Sequence, residues 1–265
     1  MIQGPAGELF VDDGGPKNGD GGAPVVFVHS ASGSTSHWAA QLLHLRRTRR
    51  AIAIDLRGHG RSAMPAEPDS GRDFAVTSMA QDIGAVADAL QLDRFVLVGH
   101  SMGGFVAIAY AGAHPNGVAG LFLLDPASDG RSIPKEQADG LMAALRSDAY
   151  LPTIEQYWGS IMGPSEQAVR DQLLAGLRAT PKITNVEALQ GLLGFDPVTP
   201  LRHYKGPKLT VITAFNETPA SLQNLVSELP SQKIEGTGHW PQLDKPEMVN
   251  DMLDAFLVEV RAFAT

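Results

Sequence analysis

The sequence predicts an α/β fold: a mostly parallel sheet with helices on both faces and a separate helical insertion. Three observations support it. Short, continuous apolar runs alternate with longer helical segments through the first half of the chain, as in βα units. A G-x-S-x-G pattern, Gly99–Gly103, lies between one such run and the helix after it. A later stretch of about 70 residues has helical segments and prolines but no convincing strand.

The first half of the chain gives the clearest elements. Continuous apolar runs are typical of strands that are buried on both faces of a parallel sheet. The strands predicted on this basis are Val25–Val28, Ala51–Asp55, Phe95–Val98 and Val118–Leu124. The helices between them are predicted at His37–Leu45, Ser78–Leu90 and Met102–Ala113. A Gly- and Asp-rich segment ahead of them is predicted as a turn or surface loop, Asp12–Gly22.

The second half interrupts this alternation and then resumes it. Turns separate four predicted helices, Pro134–Arg146, Ile154–Met162, Glu166–Leu177 and Asn185–Leu193. The pattern then predicts a strand at Leu209–Thr213, a helix at Pro219–Leu229, a strand at Lys233–Glu235 and a last helix at Pro246–Phe263. We therefore predict a core of residues 1–131 and 205–265 and a helical cap of residues 132–204. Insertions of this size are often lids over a pocket.

Composition excludes several classes of function. The formal net charge of −8 argues against nucleic acid or an anionic membrane as the main partner. The chain has no cysteine, which excludes disulfides, thiolate metal sites and cysteine nucleophiles. No apolar run approaches the length of a membrane span, and Met1–Asp20 lacks the pattern of a secretory signal. We expect a cytoplasmic monomer or homodimer that acts on a small molecule.

Ser101, the centre of the G-x-S-x-G pattern, is the candidate nucleophile. A serine at a sharp turn between a buried strand and a helix presents its hydroxyl at the top of a sheet. The flanking glycines allow the strand and the helix to pack closely around it. The alternative is a glycine-rich turn with an incidental serine.

His239 is the candidate base. A serine hydroxyl is a poor nucleophile at neutral pH and needs a base within hydrogen-bond reach. His239 lies in Gly236–Trp240, between the last predicted strand and the last helix, where two glycines give a mobile backbone. The alternative is a loop histidine that caps the final helix. His100 is next to Ser101, but the turn is expected to direct it away from the reaction centre.

Together these segments make the sequence similar to the α/β-hydrolase superfamily. The resemblance rests on Val25–Gly33, Asp55–Ser62, Gly99–Gly103 and the histidine loop that runs into Pro246. It covers nearly the whole chain. It implies the α/β-hydrolase fold with a mostly parallel eight-stranded sheet, a cap over the pocket, and hydrolysis, usually of esters or lactones, by a Ser-His-acid triad. One fold hosts many functions, so the substrate is not implied.

The resemblance also implies an oxyanion hole. One donor is expected to be the backbone N–H of Met102, just after the nucleophile, and the second, by position, the N–H of Ala31. Members of the superfamily usually have His-Gly before this second donor, whereas this chain has His29-Ser30. Ser30 is therefore a candidate substrate-binding residue that narrows the floor of the pocket or adds a hydroxyl to it.

Two positions are open for the acid of the triad. The common spacing, counted from the proline before the strand Leu209–Thr213, reaches Asn216, which has no carboxylate; Glu217 is one residue further. Some branches resemble this chain in carrying an acid after the earlier strand, where Asp125 lies. Asp125 is favoured because active-site groups collect at the carboxyl ends of parallel strands. Glu217 remains the alternative acid, and Asp129 is a weaker third choice.

The expected function is a serine hydrolase that cleaves a carboxylic ester or lactone of a small, hydrophobic substrate through an acyl-enzyme. Neither a P-loop, a G-x-G-x-x-G pattern nor a metal cluster is present in the sequence, so no cofactor is expected. The alternatives are a C–C bond hydrolase of ring-cleavage products and a hydrolase-like small-ligand receptor with little turnover. Trp158 is the first candidate for lining the pocket, followed by Tyr150, Tyr157, Met162, Leu192, Leu193 and Phe195.

Overall fold

A computed structural model describes residues 1–17, 22–65 and 73–263. Across these residues the central sheet has seven strands, in the order β3-β5-β4-β6-β7-β8-β9. All neighbouring pairs are parallel except β3 with β5. The strands of the structure are β1 (Ile2–Gly4), β2 (Gly7–Leu9), β3 (Val11–Gly14), β4 (Val25–Val28), β5 (Ala51–Ile54), β6 (Phe95–His100), β7 (Val118–Leu124), β8 (Lys208–Ile212) and β9 (Ser231–Lys233).

The central sheet has seven strands among the described residues, not the expected eight, because the N-terminal hairpin does not join it. Strands β1 and β2 pair with each other in antiparallel register, Ile2 opposite Leu9, and form a separate two-stranded sheet. Their backbone groups bond across the hairpin, so they do not extend the central sheet. The loop predicted at Asp12–Gly22 is also corrected in part, because its first residues belong to β3. Its residues 18–21 lie outside the described residues.

Helices cover both faces of the sheet. The helices are α1 (Ala39–Leu45), α2 (Val76–Ala89), α3 (Met102–Ala113), α4 (Lys135–Arg146), α5 (Tyr150–Met162), α6 (Gln167–Ala179), α7 (Lys182–Gly194), α8 (Val198–His203), α9 (Leu222–Leu225), α10 (Pro241–Asp244) and α11 (Pro246–Phe263). Successive side chains of a strand point to opposite faces. In β6, Phe95 and Leu97 accordingly join one apolar core, and Val96 and Val98 join the other.

Most predicted elements are confirmed, and some with the same bounds. The structure differs in the region after β8, where the predicted helix Pro219–Leu229 is reduced to the single turn α9. Polar turn residues account for this difference, because the Asn224 side chain donates to the Thr218 carbonyl at 2.7 Å and holds the chain in a tight turn. The following strand, β9, lies slightly earlier than predicted.

Five helices, α4 to α8, lie between β7 and β8, in a segment that the structure describes in full. The last of them, α8, was not predicted. It packs on α3: a Cβ atom added at Gly112 would lie 2.5 Å from Pro200 Cβ, so only glycine allows this approach. Helix α8 therefore returns the chain to the core. In the described ranges, no helix is both long and apolar enough to cross a bilayer.

Candidate active site

Ser101 lies on a strained turn between β6 and α3. Its backbone φ of +53° is in the left-handed region, which is rare for residues other than glycine. The flanking glycines make the turn possible. A Cβ atom at Gly99 would lie 2.3 Å from the Gly103 carbonyl oxygen, and one at Gly103 would lie 2.4 Å from that of Val28. The turn thus presents Ser101 at the carboxyl end of β6.

The structure brings Ser101, His239 and Asp125 into one hydrogen-bonded row. His239 Nε2 lies 2.8 Å from Ser101 Oγ, and His239 Nδ1 lies 2.5 Å from Asp125 Oδ2. His239 and Asp125 are buried. Because a carboxylate only accepts, Nδ1 of the neutral ring carries the proton and Nε2 accepts from the serine hydroxyl. This arrangement can deprotonate Ser101 and stabilise the resulting imidazolium.

Asp125 receives several further donors. It follows β7 with a φ of +39°. The Thr213 N–H and hydroxyl each donate to its carboxylate at 2.8 Å. The Asn216 amide donates to Oδ1 at 3.1 Å. Asn216, the position that the common spacing reaches, therefore donates to the carboxylate of Asp125.

The structure does not bring the other two carboxylates to the histidine. Glu217, the alternative acid, forms an ion pair of 3.1 Å with Lys233, and its side chain is 49% exposed. It points to solvent because it follows the short turn that holds Asn216 inside. Asp129 pairs with Arg131 at 2.7 Å. Both expectations are thereby corrected, since Asp125 alone of the three contacts His239.

His100 supports the histidine loop, a role that the sequence did not reveal. Its Nε2 donates to the His239 backbone carbonyl at 2.6 Å, and its Nδ1 accepts from the Gln242 amide at 3.1 Å. Burial holds the pKa of His100 well below its usual value, so the ring is neutral and has one donor and one acceptor nitrogen. The ring does point away from Ser101, as expected, but packs on His239 with centroids 5.0 Å apart.

The two expected oxyanion donors lie at the same end of the sheet as Ser101. Met102 is the first residue of α3, where N–H groups have no partner within the helix. Ala31 follows β4, the neighbour of β6, and lines the cavity beside Ser101. Among the described residues, neither N–H has a hydrogen-bond acceptor. Both are therefore available to an oxygen bound near Ser101.

The family is decided by comparison with known proteins. A family model described as "Alpha/beta hydrolase family" matches residues 25–252, which is most of the chain. The chain belongs to the alpha/beta hydrolase family. The chain has the same fold as an esterase from Thermogutta terrifontis solved with malate bound, with a TM-score of 0.81 at 24% identity, over 98% of this chain and 97% of that one.

Two curated relatives have different activities. The chain is 30% identical over 243 residues to the dihydrolipoyllysine-residue acetyltransferase component of an acetoin cleaving system from Pseudomonas putida. That match covers 90% of this chain but only 64% of the relative's length. It is also 26% identical over 260 residues to a 2-hydroxy-6-oxo-2,4-heptadienoate hydrolase from Pseudomonas putida, covering 88% of this chain and 90% of the relative.

A cavity of about 250 Å³ opens beside Ser101 and His239, between the core and the helices α4, α5 and α7. Its lining residues are mainly apolar, and those that the structure describes include no Asp, Glu, Lys or Arg. Of the residues predicted to line it, Tyr157, Trp158, Leu192 and Leu193 do so. The other three, Tyr150, Met162 and Phe195, are not part of the lining and pack in or against the apolar core.

Ser30 and Trp158 both contact the wall formed by Trp240. The Trp240 indole N–H donates to Ser30 Oγ at 3.2 Å, and the rings of Trp158 and Trp240 lie 6.2 Å apart. Both predicted residues line the cavity. Ser30 Oγ accepts from Trp240, which leaves its own O–H free to turn toward the cavity.

Two further histidines fix the shape of the loops around the cavity. His29 Nδ1 donates to the Ser30 carbonyl at 2.7 Å, and its Nε2 accepts from the Leu56 N–H at 3.0 Å. Burial lowers the pKa of His29, and that of the neighbouring His59, to about 3. Both rings are thus neutral at physiological pH; His29 bonds through both nitrogens, and His59 Nδ1 donates to the Arg57 carbonyl at 3.0 Å.

Proposed function

We propose that this protein is a serine hydrolase that cleaves a carboxylic ester or lactone of a small, hydrophobic substrate through an acyl-enzyme. The observation that carries the proposal is the row in which Ser101 Oγ lies 2.8 Å from His239 Nε2 and Asp125 contacts the other ring nitrogen. Nucleophile, base and orienting acid stand at hydrogen-bond distances with one consistent tautomer. A receptor with little turnover has no need of this arrangement.

In the proposed reaction, Ser101 Oγ attacks the carbonyl carbon of the substrate while its proton passes to His239 Nε2. Asp125 accepts from His239 Nδ1 throughout and stabilises the imidazolium. The C–O bond to the alcohol then breaks, and the alcohol leaves with the proton from Nε2. Water, deprotonated by the same nitrogen, attacks the acyl-enzyme and releases the acid, and the proton returns to Ser101.

The tetrahedral oxyanion is proposed to bind between the N–H groups of Ala31 and Met102. Both groups are fixed before the substrate binds, so they need no reorganisation as the negative charge develops. The N-terminal end of α3 adds a positive dipole at the same place.

The cavity favours an uncharged, hydrophobic substrate. Its described lining residues carry no formal charge apart from a potential one on His239, and a charged substrate group would be desolvated there without a partner. We propose that residues 132–204 form a cap over this cavity, with Trp158 and Ser30 as substrate-binding residues. The arrangement requires no cofactor for this reaction.

A C–C bond hydrolase is the second candidate, because one relative is named a 2-hydroxy-6-oxo-2,4-heptadienoate hydrolase. The substrate in that name carries a carboxylate. A cationic lining residue would be needed to bind such a group, and the described lining of this cavity has none. The ester or lactone reaction is therefore the one that the lining supports.

Turnover of p-nitrophenyl butyrate by the purified protein tests the proposal. We expect wild-type activity and its loss, by about 10⁴-fold or more, in Ser101→Ala. Ser227→Ala, a matched change at an exposed serine, should leave kcat unchanged. A panel that adds lactones and a ring-cleavage product separates the two candidate reactions. If Ser101→Ala keeps wild-type turnover, the acyl-enzyme mechanism is wrong.

A further inference from the structure

The loop that carries the Ala31 N–H is a tight turn. The Gly33 N–H donates to the Ser30 carbonyl at 3.0 Å, which makes Ala31 and Ser32 the two central residues of that turn. The direction of the Ala31 N–H therefore depends on the conformation of this four-residue unit. Any contact that fixes the turn also fixes the proposed oxyanion donor.

Ser32 has the least favourable backbone of the turn. Its φ is +56°, in the left-handed region that glycine adopts readily and a serine does not. A residue in such a conformation persists only when its surroundings hold it there. We therefore expect contacts to the side chain and the carbonyl of Ser32 to hold the turn.

The Ser32 hydroxyl is bound by the cap. Ser32 Oγ donates to Asn185 Oδ1, on α7, at 2.7 Å, and both residues are buried, with exposures of 4% and 1%. The amide group of Asn185 is itself fixed, because its Nδ2 donates to the Tyr150 hydroxyl at 2.8 Å. Tyr150 is the first residue of α5. Two cap helices therefore meet the turn through one side chain.

The backbone of Ser32 contacts the cap as well. A Cβ atom added at Gly176, on α6, would lie 3.1 Å from the Ser32 carbonyl oxygen. The glycine allows α6 to approach the turn closely. Both the side chain and the carbonyl of Ser32 are thus in contact with residues that lie 144 to 153 positions later in the chain.

We infer that Asn185 is a positioning residue for the oxyanion hole: it holds the strained Ser32 and so directs the Ala31 N–H toward the oxygen of the bound substrate. The inference rests on the proposed function, because it assigns the hole to this turn. Its consequence is that turnover depends on the cap being seated on the turn, whereas the contact between Ser101 and His239 does not involve Asn185.

The experiment compares Asn185→Ala, Ser32→Gly and the double variant with wild type. In Asn185→Ala we expect kcat for p-nitrophenyl butyrate to fall about tenfold, less than the loss from deleting an oxyanion donor outright, with KM changed less than about twofold. The Ki of a trifluoromethyl ketone, whose adduct with Ser101 bears an oxyanion, should rise about as much as kcat falls.

Glycine at position 32 adopts a positive φ without strain, so the turn no longer needs its partner. The double variant should therefore recover most of the kcat that Asn185→Ala loses. A variant that merely unfolds the cap would not be rescued in this way. Glu155→Gln, which breaks an ion pair of 2.6 Å with Arg178 within the cap, is the control and should keep wild-type kcat.

Wild-type kcat in Asn185→Ala overturns the inference, as does a kcat loss that Ser32→Gly does not reduce. Thermal melts of all variants show which losses come from unfolding, and the rescue by Ser32→Gly is then decisive. Failure of the proposed function is distinguishable: in that case wild type and Ser101→Ala are equally inactive toward the ester, before any change at Asn185 is made.

Discussion

His100 Nε2 donates a hydrogen bond of 2.6 Å to the backbone carbonyl of His239. The residue before the proposed nucleophile thus supports the loop of the proposed base, which lies 139 positions later. On its other side, His100 accepts from Gln242 in α10. A neutral ring with one donor and one acceptor nitrogen is required at this position, because both of its partners are fixed.

Replacing this ring should affect stability and turnover together. His100→Leu leaves the His239 carbonyl and the Gln242 amide without their partner, which we expect to lower the free energy of unfolding by about 1–3 kcal/mol. Displacement of the His239 loop should also lower kcat by about tenfold or more. Urea unfolding and ester kinetics measure the two effects. His203→Leu, at an exposed histidine, is the control; equal behaviour of the two variants would contradict the supporting role.

The identity of the acid can be tested with two isosteric changes. Asp125→Asn should lower kcat by about 10⁴-fold, since the amide favours the wrong tautomer of His239. Glu217→Gln should keep kcat within about twofold of wild type, because Glu217 pairs with Lys233 in solvent and an exposed pair contributes little. Steady-state kinetics with p-nitrophenyl butyrate decide the matter. A large loss in Glu217→Gln would mean that the acid lies elsewhere.

Trp158 is expected to limit the size of the substrate. Trp158→Ala enlarges the cavity beside Trp240, so kcat/KM should fall for short esters and rise for bulky ones. The ratio between the two substrates is expected to change by about tenfold or more, the scale of a few methylene groups. Leu151→Ala, at an exposed leucine of the same helix, should not change the ratio. An unchanged ratio in Trp158→Ala would place specificity elsewhere.

His37 should make the protein less stable in mild acid. Burial lowers the pKa of the His37 ring from its usual 6.5 to about 4. The contribution of the neutral His37 ring to the free energy of unfolding is complete above about pH 6.5. It decreases by about 1.4 kcal/mol per pH unit as the pH falls toward 4, because the unfolded chain binds the proton at a higher pH than the folded chain. The fall in stability should be less steep in His37→Gln and unchanged in His203→Gln. Urea titrations across this pH range provide the measurement, and equal slopes in wild type and His37→Gln would refute the assignment.

Local patterns were sufficient for much of the fold. Helix α3 and strand β7 have the predicted bounds, because an unbroken apolar run fixes each of them without reference to distant residues. The G-x-S-x-G turn is local in part: Gly99 is required by the backbone of Gly103, whereas Gly103 is required by the more distant Val28 carbonyl. Short polar segments were less predictable. The region of α9 forms a turn because side chains such as Asn224 bond to the backbone, which propensity does not reveal.

The candidate site depends on contacts that no local pattern contains. The position of Asp125 depends on Thr213 and Asn216, whose bonds to its carboxylate form only once β7 and β8 lie side by side. Thr213 and Asn216 lie 88 and 91 positions after Asp125 in the chain, and no periodic pattern links residues so far apart. The partnership of Ser32 with Asn185 is hidden for the same reason.

One hydrogen bond of the loop that carries His239 limits how a substrate can enter the cavity. The His239 N–H donates to the carbonyl of Ile161, near the end of α5, at 2.9 Å. A rigid-body movement of residues 132–204 away from the core would pull on this bond and separate the His239 ring from Ser101. Tyr157 and Phe215 border the cavity and are 44% and 36% exposed. We therefore expect a substrate to enter between these two exposed rings, because this path leaves the hydrogen bond between His239 and Ile161 intact.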